Sequence, residues 1–506
     1  MMPLRFSLFS LSSASPASET VRAGGATDGP APGARRSALG VGLAALLALG
    51  GLAVPPAQAQ DAAAPLTIQG LDQQRAEGAR ARSMGGVRAS GLTTSASLFS
   101  NPAALARVDD AEVRLGGGYA QRNFSQDQTW VPNRLYLELS LIFENDPASP
   151  NPTRAFDDIR PDWDNALSSA SPTLGSAAVP LPFQPGGVSI TAGLGAAQVA
   201  NLDHYFQNNN ALTPNIGSIR PEPIPRIQQG DSLMVGWAQF SRQREGAVYG
   251  ITPALAFSRG PFSLGLSATV LTGSSDDRQR TMERGEFTLR FQNRFSLSAP
   301  AGGETVVTGT SEYSGTRFAV AGGFEQGPLT TNVVWQPGYT LERAWSYSDG
   351  TGGTDRIDFA SALTLGASVQ PSENVTVAAD IDFRSLGGAD VRLADASEPI
   401  QPWVSGATVH LGAEYQALPW LAVRGGYHEA AQPFAPAGAA ILDDPARADV
   451  FGAGIGLSFG SLALDVAYEL SSLEYEDLWL SNGNDNSITS HTVLFEAAYA
   501  LPFARR

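Results

Sequence analysis

Four ionisable side chains at the spacing of a single β-hairpin are the clearest candidates for chemistry in this sequence. The segments ATVHLGAEYQA and WLAVRGGYHE flank a Leu-Pro turn, so antiparallel pairing places Glu414 opposite Arg424 and His410 opposite His428. All four lie on the face opposite the apolar residues, because side chains alternate along a strand. We expect a Glu414–Arg424 ion pair flanked by two imidazoles; a solvated pair of little energetic weight is the alternative.

The other reactive side chains do not favour an enzyme. The chain has 4 histidines, none at metal-ligand spacing, and 0 cysteines, so a thiolate metal site or a disulfide is impossible. It has no phosphate-binding loop. Carboxylates two residues apart, such as Asp380 and Asp382, are typical of a polar strand face. We expect no catalytic residue, metal or cofactor, although a Ser–His site assembled across strands stays open.

Alternating segments separated by Gly, Pro, Asn and Asp predict β-strands from about Glu112 onward. In NVTVAADIDFRSL, every second residue from Val375 to Phe383 is apolar, while the residues between them include two aspartates. Many segments run about 10 to 13 residues, which suits tilted membrane strands better than the shorter strands of a soluble sandwich. Tight turns alternate with long stretches at 273–314, 385–404, 430–448 and 472–487. Short turns at one rim and long loops at the other are typical of a transmembrane barrel.

The predicted fold is therefore all-β, a transmembrane antiparallel β-barrel of about 14 strands. The pattern gives about eleven strands from Ala247 to the end and about four before it. A closed single-chain barrel of this kind has an even number of strands. We expect fourteen, with sixteen as the alternative. The Pro-rich stretches 146–185 and 212–226 are predicted to be irregular connections.

The first 59 residues contain the regions of a secretory signal peptide in the usual order. Arg35 and Arg36 precede an apolar stretch, which is followed by two prolines and an A-x-A site ending at Ala59. We expect cleavage after Ala59. An uncleaved anchor is the alternative, because the apolar run of about 18 residues is near the lower limit for a spanning helix.

Length and charge restrict the partners. A chain of 506 residues is long enough for one large barrel. Its formal net charge of −16 argues against nucleic acid as a partner, because phosphate binding requires a basic face.

A resemblance to a known family is carried by four segments: ARARSMGGVRASGLTTSASLFSNPAALARV, LGASVQPSENVTVAADIDF, VHLGAEYQALPWLAVRGGYHEAAQPF and DVFGAGIGLSFGSLALDVAYEL. On these segments, most of the predicted mature chain resembles the FadL family of outer-membrane transporters. The family usually has Gly-Leu after its Asn-Pro-Ala, where this chain has Ala104-Leu105, and its barrels commonly end on an aromatic residue, where Phe503 is followed by Ala-Arg-Arg.

The resemblance implies that residues 60–110 fold back as an N-terminal plug inside a barrel formed by residues 111–506. Its motif is Asn101, Pro102 and Ala103. The composition is compatible, because Pro102 fixes a turn without needing its own N–H and Asn101 can bond to nearby backbone groups. An ordinary N-terminal linker is the alternative.

A stripe of small residues in FGAGIGLSF suggests where such a plug would touch the wall. Gly452, Gly454 and Gly456 alternate with apolar residues and so share the predicted lumenal face. Glycines there would let a packed segment approach the strand closely. A bend or twist site is the alternative reading.

The function implied by the resemblance is passive transport of hydrophobic small molecules, such as long-chain fatty acids, across the cell outer membrane of a diderm bacterium. The implied partners are the hydrophobic ligand, outer-membrane lipid and the barrel assembly machinery. The alternative is a related plugged barrel that serves as a docking or shuttle component of protein secretion. A general porin fits less well, because it requires an open lumen.

Overall fold

The computed structural model describes only part of the chain. The predicted signal peptide (1–59) and the predicted irregular connection 212–226 lie outside the described residues. Those are 66–72, 76–90, 93–130, 163–209, 232–290, 294–298, 304–436, 444–479 and 482–501.

One antiparallel sheet dominates the described residues. Its strands are β1 (Ala111–Trp130), β2 (Trp163–Pro180), β3 (Ser189–Asn201), β4 (His204–Asn209), β5 (Ser232–Arg259), β6 (Phe262–Arg290), β7 (Arg294–Ser298), β8 (Glu304–Gln326), β9 (Leu329–Gln336), β10 (Tyr339–Tyr347), β11 (Gly352–Phe359), β12 (Ala362–Ser372), β13 (Val375–Arg384), β14 (Asp390–Arg392), β15 (Gly406–Leu418), β16 (Leu421–Ala431), β17 (Arg447–Phe459), β18 (Leu462–Trp479) and β19 (Asn482–Leu501).

The sheet closes on itself as a barrel of 14 antiparallel strands, which confirms the predicted fold class. β1 pairs with β19 from Ala111↔Leu501 to Trp130↔Asn482. Five barrel strands are described in two parts that follow the same path: β3/β4, β7/β8, β9/β10, β11/β12 and β13/β14. The prediction of about four strands before Ala247 was one too many, because β3 and β4 are halves of one strand, both pairing with β5.

The predicted tight turns lie at one rim. Gly260, Gly327 and Gly460 follow β5, β8 and β17, with φ angles of 57°, 58° and 63°. This left-handed conformation is available to glycine at little cost. Each turn joins two neighbouring strands of the barrel.

Two predicted long loops are wrong. β6 continues to Arg290 and β8 begins at Glu304, so most of 273–314 is strand, and β18 and β19 likewise fill most of 472–487. These stretches lack the apolar face that marks a strand in sequence. Backbone pairing continues nevertheless, since ladder hydrogen bonds do not depend on side-chain polarity.

The prediction of an irregular connection over 146–185 is also wrong where the structure describes it. β2 occupies Trp163–Pro180 despite its prolines. Pro172 lies at a shift of register against β1, between Gly116↔Leu174 and Gly117↔Pro172. The shift leaves Thr173 without a partner in β1, and the ladder next to a bulge tolerates proline because its pairing is locally disrupted.

The two faces of the wall differ as the alternation predicted. On β15, Val409, Leu411 and Tyr415 point outward and are exposed, while Thr408 and His410 point inward and are buried. An apolar outer face with a polar lining is the side-chain arrangement of a barrel in lipid. No helix in the described ranges is long and apolar enough to cross a membrane.

The inward face of the wall is covered by what we call the inner segment, the described residues between Leu66 and Val108. It contains one short helix, α1 (Ala79–Ser83), and two 3₁₀ turns, Ser95–Phe99 and Pro102–Arg107. Apolar residues of the inner segment are almost all buried. They include Leu71, Met84, Val87, Leu98 and Leu105.

Candidate functional site

The Asn101-Pro102-Ala103 motif ties the inner segment together. The Asn101 side-chain oxygen accepts the Ala103 N–H at 3.2 Å, and its amide donates to the Ala89 carbonyl at 2.7 Å. Pro102 begins the second 3₁₀ turn, where a missing N–H costs nothing. A Cβ on Gly265 of β6 would collide with Pro102 and Ala103, so this turn lies flush against the wall.

The predicted glycine stripe also faces the interior. A Cβ on Gly452 would strike the main chain at Arg82, and one on Gly454 would meet Ser83. Gly456 instead leaves room for the guanidinium of Arg424.

Two further glycines, which sequence reasoning missed, line the same contact. Cβ atoms on Gly412 of β15 and Gly426 of β16 would overlap the Met84 carbonyl region. The available signal was the period of two, since both share the lumenal face with His410, Glu414, Arg424 and His428.

The predicted hairpin register is present, and Glu414 lies opposite Arg424. The two side chains form an ion pair. Glu414 also accepts from Arg80 of the inner segment at 2.8 Å, and Arg424 donates to Asp465 of β18 at 2.6 Å. The pair is therefore part of a chain of charges that joins the wall to the inner segment.

The two histidines lie opposite each other, with ring centroids 4.5 Å apart. His410 is fully buried, with Nδ1 2.8 Å from the Gly85 carbonyl oxygen and Nε2 3.2 Å from the Asp382 carboxylate. Each ring nitrogen is thus within hydrogen-bond distance of one oxygen acceptor. His410 thereby links the inner segment to β13.

Arg88 is the main charged residue of the inner segment. Its guanidinium pairs with Asp382, and with Glu77 at 2.8 Å. Burial opposes its charge, but the two carboxylates outweigh burial and raise the pKa of Arg88 above its ordinary value. Asp380 accepts the N–H groups of Arg88 and Ala89 at 2.6 and 2.7 Å. The polar lining expected of Asp380 and Asp382 is thus a docking point for the inner segment.

A second charged cluster holds the other end of the inner segment. Arg244 is fully buried and donates to both oxygens of Asp277, at 2.7 and 2.8 Å. It also donates to the main-chain carbonyls of Thr67 and Gln69, at 3.1 and 3.3 Å. Asp277 was missed because it falls within the predicted loop 273–314.

An apolar cluster fills the lumen around Ile68 and Leu71 of the inner segment. It is built from buried side chains of several wall strands and of the segments that connect them, and includes Leu202, Tyr313, Leu341, Ile357, Phe359 and Trp403. The lumen is therefore polar only in part. Its apolar portion was not visible in the sequence, because these residues come from strands far apart in the chain.

Next to this cluster, three neighbouring barrel strands are interrupted side by side. The gaps are residues 337–338, 360–361 and 385–389. A cavity of about 70 Å³ lies at these gaps, between the wall and the inner segment. Its lining includes Arg88, Phe99, Arg317, Tyr339, Phe359, Leu363, Phe383, Arg384 and Leu386.

Taken together, the fold and lumen define a class: a transmembrane β-barrel whose interior is occupied by its own N-terminal segment. No protein-family model and no curated protein matches the sequence. Solved structures do match. A FadL homologue of Pseudomonas aeruginosa superposes with a TM-score of 0.57 at 12% identity, over 84% of this chain and 98% of that one.

Two forms of the channel TodX are also similar. A deltaS2 mutant, described as a monoaromatic hydrocarbon channel, has a TM-score of 0.50 and 14% identity over 85% of this chain and 100% of that one. The Pseudomonas putida toluene transporter TodX has a TM-score of 0.49 and 13% identity over 84% and 98%. The neighbours with the higher scores identify the fold of this chain as that of FadL-type transporters, as the resemblance in sequence predicted.

Proposed function

We propose that this protein carries hydrophobic small molecules, such as long-chain fatty acids, passively across the outer membrane. The proposal includes export by the signal peptide 1–59 and use of residues 60–110 as a plug. It also includes outer-membrane lipid and the barrel assembly machinery as partners. The observation that carries it is the occupied lumen, in which charged contacts hold a segment beside an apolar cluster and a cavity.

The physical argument is selectivity by solvation. We expect the inner segment in the lumen to deny polar solutes a continuous water path. An apolar ligand gains roughly 25 cal/mol for each Å² of apolar surface that it buries, so the lumenal apolar cluster favours its entry. Transport down a gradient then requires only that the inner segment rearrange. The name of one similar structure, a monoaromatic hydrocarbon channel, supports a hydrophobic ligand.

The test is uptake by liposomes containing the mature chain, with a labelled long-chain fatty acid compared against a small sugar. We expect fatty-acid uptake without sugar leakage. Deletion of residues 61–107 is expected to produce sugar leakage. Because a deletion can impair folding, the full-length variant Arg88→Gln, which breaks two ion pairs of the inner segment, is measured beside it.

Absence of uptake by a folded barrel would contradict the transport proposal. In that case the docking role in secretion is tested next, by co-purification with secretion components.

A further inference from the structure

The two facing histidines of the wall, His410 and His428, form a buried pair that the transport proposal does not use. They are 0% and 2% exposed, and their ring centroids are 4.5 Å apart. Two charged imidazoles at this separation repel each other strongly where water is excluded. The buried pair therefore accepts a second proton much less readily than a first.

The inner segment covers this pair with the turn Gly85-Gly86. Both glycines are left-handed, with φ angles of 68° and 78°. The Gly85 carbonyl oxygen lies 2.8 Å from Nδ1 of His410. A Cβ on Gly86 would lie 2.9 Å from the same nitrogen and 3.5 Å from Cε1 of His428. The turn thus lies directly against both rings, and its position depends on them.

The carboxylates nearest the pair belong to β13. Asp382 lies 3.2 Å from Nε2 of His410 and also forms an ion pair with Arg88. Asp380, opposite His410 in the sheet, accepts the main-chain N–H groups of Arg88 and Ala89. Both carboxylates are therefore already engaged by donors of the inner segment.

The other charged groups of this region form ion pairs with one another. They are Glu77, Arg80, Arg82 and Arg88 of the inner segment and Glu414, Arg424 and Glu469 of the wall. On β17 the residue opposite His428 is Val450, which carries no charge. Since each carboxylate in this set already has an arginine partner, a second proton on the histidine pair would add uncompensated positive charge.

We propose that His410 and His428 make docking of the inner segment sensitive to pH, and that the Gly85-Gly86 turn is released when both imidazoles are protonated. Release lets water reach the rings, where an imidazole has its ordinary pKa of about 6.5. The released state then binds one proton more than the docked state. Docking is therefore favoured at neutral pH and weakens as the pH falls through about 6.5. The proposal rests on the transport function above, to which it adds regulation of the plug.

The experiment is hydrogen exchange of the purified full-length mature protein from about pH 7.5 to about pH 5.5. The readout is the protection factor of residues 84–88, taken relative to an unstructured peptide at the same pH, so that the intrinsic pH dependence of exchange cancels. Uptake of one proton on release is expected to lower protection about tenfold across this range. Carboxylates ordinarily titrate near pH 4, below the range.

The test variant is His428→Gln, which keeps a polar side chain and takes up no proton in this range. Its protection factor is expected to be nearly the same at both pH values. A merely structural role of His428 would instead lower protection by the same factor at both pH values and leave any dependence on pH unchanged. His428→Phe, which keeps a flat ring without a titrating group, serves if the Gln variant does not fold.

The matched control is His491→Gln. His491 lies on β19, away from the inner segment, with its Nδ1 2.8 Å from the hydroxyl of Tyr468 on the exposed face. This variant is expected to lose protection between the two pH values as much as wild type does.

A protection factor of the wild type that does not change with pH would overturn the proposal, as would an undiminished change in His428→Gln. The assay contains no ligand, so its outcome is separate from the uptake measurement. A folded barrel that shows the pH dependence without uptake would contradict transport and support pH-sensitive docking. Uptake without the pH dependence would support transport and contradict the role of the histidines.

Discussion

At the scale of single residues, the lumen is organised by arginines of the inner segment and carboxylates of the wall. Arg80, Arg82 and Arg88 each form an ion pair with a strand residue: Glu414, Glu469 and Asp382. Such pairs are mostly shielded from water, so breaking one leaves a poorly solvated charge behind. The Glu414–Arg424 pair joins these contacts because Glu414 also binds Arg80. We therefore expect the pair to contribute to stability.

Removal of either member of the Glu414–Arg424 pair is expected to destabilise the barrel non-additively. Glu414→Gln, Arg424→Gln and the double variant form a cycle whose coupling energy we expect to be about 1 kcal/mol or more. The measurement is urea unfolding in lipid vesicles. A coupling energy of zero would mean that the pair is solvated, as the alternative reading holds.

Asp380→Asn is expected to loosen the inner segment. Asp380 accepts the main-chain N–H groups of Arg88 and Ala89 and the hydroxyl of Ser90, and an amide cannot replace a carboxylate with three donors around it. We expect a loss of about 1–3 kcal/mol in stability and faster hydrogen exchange at residues 88–90. Asp358→Asn, at an exposed ion pair on the wall, is the control and is expected to change neither.

At the scale of elements, the wall and the inner segment fit closely because glycines occupy the contact. Gly412, Gly426 and Gly452 leave no room for a side chain where the main chain of Arg82 to Gly85 passes. The strand interruptions act in the opposite sense, since they open the cavity beside Arg317. The lumen thus contains both close contacts at these glycines and a cavity at the strand gaps.

Gly426→Val is expected to displace the inner segment. The new side chain would overlap Met84 and Gly85, and overpacking of this kind costs about 1–3 kcal/mol. We expect increased sugar leakage in liposomes. Gly425→Val on the same strand is the matched control, because Gly425 points outward and a Cβ there would lie 4.0 Å from the Gly452 carbonyl oxygen. Equal leakage from both variants would argue against the contact.

At the scale of the whole molecule, closure of the barrel depends on pairing between the first and last strands. β1 and β19 match along their full lengths. Closure removes the exposed strand edges that lipid cannot satisfy with hydrogen bonds. It also encloses the inner segment, whose chain leads directly into β1 through Asp109 and Asp110.

A disulfide placed across the closure is expected to form readily. Leu115 lies opposite Ala497 on the outward face, and the chain has 0 native cysteines. Leu115→Cys with Ala497→Cys is therefore expected to cross-link in one chain, with a shifted band on a non-reducing gel. Leu115→Cys with Phe495→Cys, displaced by two residues, is the control and is expected to cross-link poorly. The reverse order of efficiency would contradict the register.

The sequence by itself determined the features that depend on neighbours along the chain. The period of two separates lipid-facing Val409 and Leu411 from buried His410, and glycine turns such as Gly460 place the next strand, so the fold class and the hairpin register followed. The extent of β6 and β18 did not follow, because strand pairing continues where no apolar face marks it. Arg88 with Asp382, 294 residues apart, and the cavity beside Arg317 were decided only by tertiary structure. The side chains that form these contacts meet only after the barrel closes around the inner segment. No local sequence pattern encodes a contact between residues so far apart in the chain.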